Sequence, residues 1–149
     1  MSDILQYTSI DNGTVSRYIK PSFIRNGCID LVSFDLRDRK PPEKFVSFHK
    51  VDDTDEDLKF ISAISYLSFT PKQNGAIILL DVEETLEEVN DEEDDFISFR
   101  EKDLPHCGMI YHTNDLTKLQ EVKTTLSYLA LNQFKFVKDI NNNLVQVER

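Results

Sequence analysis

At 149 residues the chain is long enough to bury one core without covalent staples, and one domain spanning residues 1–149 is expected. Its net charge of −10 argues against general binding to nucleic acid or anionic membranes, whose phosphates it would repel. Two cysteines, Cys28 and Cys107, are too few for a disulfide framework and fit reduced, unpaired residues in a cytoplasmic protein.

Residues 1–9 hold Asp3, no basic residue and no long apolar stretch, unlike a secretory signal. Asparagine precedes three of the four glycines: Asn12-Gly13, Asn26-Gly27 and Asn74-Gly75. Asn-Gly supplies the positive-φ positions of a tight hairpin turn. Residues 4–10 and 14–20 therefore read as two strands around the first pair, and 22–25 and 28–34 as two more around the second. Pro21 ends the second strand or confines it to an edge. Residues 35–44 carry Pro41-Pro42 and many charges, which predicts a loop.

Residues 45–51 alternate with a period of two, Phe45, Ser47 and His49 against Val46, Phe48 and Lys50, which predicts a strand. Residues 52–67 place Leu58, Ile61 and Ile64 at helical spacing, with Thr54 as the expected N-cap. The longest apolar run, 76–80, is strand-sized, far short of a membrane span, and is expected to be buried on both faces. Residues 83–90 suggest a short acidic helix carrying Leu86 and Val89.

Residues 96–100 and 109–113 are short strand candidates. Leu116, Leu119, Val122, Leu126 and Leu129 form a helical stripe over 115–132, capped by Asn114 or Asp115. At the C-terminus, 134–140 and 144–147 flank Asn141-Asn142-Asn143 and read as a hairpin. Together these predict an α+β fold, a mostly antiparallel sheet with two main helices packed on it. Helices confined to one face would leave the other exposed or covered by a partner.

Charge is distributed unevenly. Residues 17–50 hold eight Lys/Arg against four Asp/Glu, whereas 51–103 hold four against seventeen. Within 81–95 there are ten acids and no Lys or Arg, ending in Asp91, Glu92, Glu93, Asp94 and Asp95. A solvated loop is the plain reading. The functional reading is a partner-binding surface for a basic protein, as in a non-enzymatic immunity or antitoxin-like module.

The candidate chemistry is sparse, and no catalytic residues are assigned. His106-Cys107 stands between Pro105 and Gly108, where an imidazole could activate a thiol. His106, Cys107 and His112 match no zinc-site spacing. On one strand the two histidines would lie roughly 20 Å apart, so no metal or other cofactor is expected. Ser47 and His49 are about 7 Å apart along a strand, too far for a nucleophile–base pair. The alternative function is a small enzyme or ligand-binding protein for a phosphorylated or nucleotide-like substrate, using Arg17, Arg25, His49 and His106.

Arg17-Tyr18-Ile19-Lys20-Pro21, Asn26-Gly27 with Ile29, Phe34 and the Ser47 strand resemble the opening of small uncharacterised bacterial proteins. Pro105-His106-Cys107 before a strand and a helix resembles their later part. The resemblance implies a bacterial, cytoplasmic protein and transfers no activity and no catalytic residue.

Overall fold

The computed structural model describes residues 7–37 and 43–147, with side chains described as far as residue 142. The readings of residues 1–6 and of Pro41-Pro42 lie outside the described residues. In chain order the strands and helices are β1 (Ser9–Ile10), β2 (Thr14–Ile19), β3 (Ile24–Arg25), β4 (Cys28–Ile29), β5 (Val46–Val51), α1 (Glu56–Ser65), β6 (Ala76–Asp81), α2 (Val82–Val89), β7 (Ile97–Glu101), β8 (His106–Tyr111), α3 (Leu116–Ala130), β9 (Phe134–Phe136) and α4 (Val137–Val147). Short 3-10 turns cover Pro21–Phe23 and Leu31–Phe34.

The fold is α+β, as expected. Seven antiparallel strands pair in the order β1-β7-β8-β5-β2-β6-β9, and β3–β4 form a separate ribbon. The ribbon turn has φ of 52° at Asn26 and 75° at Gly27, the two positive values that Asn-Gly permits cheaply. Among the described residues no helix is long and apolar enough to cross a membrane.

Helices pack on both faces of the sheet, which corrects the picture of a one-sided layer. Strand residues alternate between faces, and β6 shows the consequence. Ile78 and Leu80 join Val122 and Leu126 of α3 in one core, while Ile77 and Leu79 join Phe60 and Ala63 of α1 in the other. Ala76 through Leu80 are all buried, as a strand covered twice must be.

The three helices α1, α2 and α3 begin the same way. The side chains of Asp55, Asp81 and Asp115 accept from the backbone N–H three residues on, at 3.1, 2.9 and 3.0 Å. Each carboxylate satisfies a free N–H and complements the helix dipole. The α1 cap is therefore Asp55 and not Thr54.

Three further expectations are corrected. The segment before Asn12-Gly13 does not pair with β2; β1 pairs with β7 instead. The strand expected over 28–34 stops at Ile29 because Asp30 accepts from Val32 N at 3.1 Å and turns the chain into a 3-10 helix. The C-terminal hairpin is absent: β9 runs directly into helix α4. Val137 and Ile140 are buried, and the sequence spacing Val137, Ile140, Leu144 is helical, a signal the three asparagines obscured.

Candidate functional site

The acidic segment occupies α2 and the loop that follows. Glu83, Glu84, Glu87 and Glu88 are exposed on α2, and Asp91 through Asp95 are exposed in the loop. None of these carboxylates has an ion-pair partner within 4.0 Å among the described residues. Lys118 is a nearby cation. Its pKa is raised chiefly by its hydrogen bond to Glu121 at 3.0 Å, with a smaller contribution from Asp91.

The loop has a defined shape. Asp91 Oδ1 accepts from Glu93 N at 3.0 Å and Asp94 N at 2.7 Å, closing a tight turn. At its base Asn90 Oδ1 accepts from Phe96 N at 2.7 Å and Ile97 N at 3.0 Å, while its Nδ2 donates to Ile97 O at 3.1 Å. The Asn90 amide thus supplies Ile97 with the donor and acceptor that a neighbouring strand would otherwise provide. Nothing in the sequence marked Asn90 for this role except its place before the acids.

An open groove of about 830 Å³ lies beside this loop. Asp11, Glu87, Asp91, Glu92 and Asp95 stand around it, with Ser98, Arg100 and His112 on the sheet side. Ser98 Oγ and His112 Nε2 are 2.7 Å apart. Arg100 donates through Nη1 to Tyr7 O at 3.3 Å, and its buried Nε has no hydrogen-bond partner among the described residues. Five carboxylates against one arginine give the groove an acidic lining.

The residues of the alternative ligand site do not converge. Arg17 is partly buried and donates to Ser33 O at 2.9 Å and Ser47 O at 2.6 Å, with its guanidinium carbon 5.7 Å from the Phe48 ring centroid. Burial lowers its pKa, and Glu43 is the largest opposing influence. Ser16 and His49 are direct cross-strand partners, so Arg17 projects from the opposite face to His49. Arg25 is exposed in the β3–β4 ribbon, outside the main sheet.

His49 and His106 do meet. They are paired in register on β5 and β8, with ring centroids 4.8 Å apart. Burial lowers the His49 pKa first, and the neighbouring His106 lowers it further. The partners lie far apart in sequence, so no local motif could have shown them together.

The His106–Cys107 pairing dissolves on the strand. Cys107 faces the α3-side core and is buried, while His106 faces the other way and is exposed. Burial pushes the Cys107 thiol up to about 12, so it is a packed thiol and not an activated nucleophile. Cys28 is exposed on the ribbon, and neither cysteine is in a disulfide. Among the described residues no three His, Cys, Asp or Glu side chains are grouped to hold a metal ion.

Compared with protein-family models, curated proteins and solved structures, the chain finds no match in any of the three. Its function is therefore read from its own surface.

Proposed function

We propose that the chain is a non-enzymatic, acidic protein-binding module, immunity or antitoxin-like in kind, that engages a basic protein in a bacterial cytoplasm. The carrying observation is the run of exposed carboxylates from α2 through the 91–95 loop beside an acid-lined groove. Carboxylates in excess over the nearby Lys118 and Arg100 create a potential that a cationic surface relieves, and such contacts act mainly on association rate. The Asn90 and Asp91 hydrogen bonds support this reading, because a shaped loop loses less entropy on docking than a floppy one.

The phosphate-binding alternative would require Arg17 and the histidines on one side of the sheet, and they project from opposite faces. The experiment is a paired capture from the source cell. Wild-type protein and a variant lacking the five loop carboxylates are compared at low and high salt. A basic protein retained by the wild type, lost from the variant and released by salt supports the proposal. Identical partners for both proteins would refute it.

A further inference from the structure

Two of the chain's three histidines stand opposite each other on adjacent strands. The His49 and His106 rings have centroids 4.8 Å apart and are tilted by 55°. We propose that this pair is an exchangeable site for a divalent transition-metal ion of the zinc, nickel or copper class, bound through one nitrogen of each imidazole and completed by water.

The separation fits such an ion. A ligating imidazole nitrogen sits about 2.0–2.1 Å from the metal, which puts the ring centroid roughly 3.2 Å from it. Two such rings at roughly 90–110° around one ion have centroids about 4.5–5.2 Å apart. The observed 4.8 Å falls inside that interval. Register fixes the separation, since facing residues on antiparallel strands keep their Cβ atoms about 4.5–5.5 Å apart.

Each ring has surroundings suited to its part. His49 is half-buried, and the Tyr66 ring lies 6.0 Å away, tilted by 33°, which restricts its orientation. His106 is exposed, so water can reach an ion held between the rings. A cavity of about 210 Å³ adjoins His106 and is not lined by His49, and the exposed His106 edge of the pair is where solvent would complete the shell. Lys102 and Asp103 border the same cavity with opposite charges, and the Lys102 ammonium lies 4.6 Å from the Phe45 ring centroid.

Two protein ligands make an open site that exchanges its ion, unlike the closed four-ligand structural type. Imidazole selects for borderline metals over magnesium and calcium, which prefer oxygen. The site is separate from the acidic groove, so either can fail without the other.

The test uses the untagged full chain, titrated with Zn²⁺ by calorimetry and followed by NMR of the imidazole resonances. One ion per chain is expected, with shifts at His49 and His106 and none at His112. His106→Gln should weaken binding about tenfold or more, His112→Gln should leave it unchanged, and excess Mg²⁺ should not compete. Three results would overturn the proposal: no saturable binding, unaltered affinity in His106→Gln, or displacement by Mg²⁺, which would place the ion on the carboxylates. Resonance mapping on the wild type gives the answer even if a histidine variant misfolds.

Discussion

Arg17 and the 91–95 loop are both conspicuous concentrations of charge, and the fold uses them in opposite ways. Arg17 reaches across two chain segments to carbonyls of Ser33 and Ser47 and lies against Phe48. The loop carboxylates bond only within their own turn or stand free in solvent. The lesson is that a cation already committed to backbone carbonyls has little left for a ligand. Unpaired carboxylates on a fixed turn remain available. Charge that holds the fold should cost stability when removed, and charge that serves a partner should not.

The largest expected effect is at Arg17. Arg17→Met removes two charge-assisted hydrogen bonds and leaves Ser33 O and Ser47 O without their donor. A loss of about 2–3 kcal/mol is expected in urea unfolding. Arg17→Lys should recover only part of it, because an ammonium cannot reproduce the planar fork. If Arg17→Met unfolds at the wild-type midpoint, the contrast between the two regions collapses.

Asn90 is the hinge of the comparison, since it joins the free loop to the sheet. Asn90→Ala deletes three hydrogen bonds to Phe96 and Ile97 and should cost about 2 kcal/mol. Amide exchange at Phe96 and Ile97 should accelerate in the same variant. Unchanged exchange there would mean that the loop needs no clamp.

These two residues also show what a sequence reveals. The helices over 56–65 and 116–130 were legible because apolar residues recur at helical spacing, although the cap of the first is Asp55 and not the expected Thr54. The Asn26-Gly27 turn was legible because few other pairs accept two positive φ values. The acidic loop was visible from composition alone. Asn90 was not, because its partners are backbone groups that every residue carries. The pairing of β1 with β7 and the meeting of His49 with His106 are long-range contacts that leave no local trace. Helix α4 was misread because asparagines favour turns locally and tertiary packing overrode them.

A smaller effect is expected at Tyr111, on the same side of the sheet as Arg17. Its Oη donates to Phe34 O at 2.6 Å, so Tyr111→Phe should cost about 1 kcal/mol. Burial raises the Tyr111 pKa above its ordinary 10.0, Asp35 adds to the rise and Arg17 opposes it. Above pH 10.0 the unfolded chain therefore releases this proton while the folded chain keeps it. The unfolded state then binds fewer protons, so stability falls as pH rises through that window. Urea midpoints measured on both sides of pH 10.0 should fall less steeply in Tyr111→Phe than in the wild type. Parallel slopes would show that Tyr111 ionises as easily folded as unfolded.

The smallest effect on stability, and the largest on binding, is expected in the acidic loop. Asp91 differs from its neighbours because its carboxylate closes the turn, so it is best replaced by Asn, which keeps the accepting oxygen. Glu92, Glu93, Asp94 and Asp95 can each become Ser, because no described hydrogen bond uses their side chains as acceptors. Five exposed like charges repel one another, so removing them should change unfolding free energy by no more than about 0.5 kcal/mol. The same variant should associate more slowly with a basic partner. That difference should shrink as salt rises, because about 0.15 M ionic strength screens charges beyond roughly 8 Å. Stopped-flow association at several salt concentrations separates the two outcomes. If wild type and variant associate at one rate in low salt, the loop serves solubility alone, and the protein-binding reading loses its support.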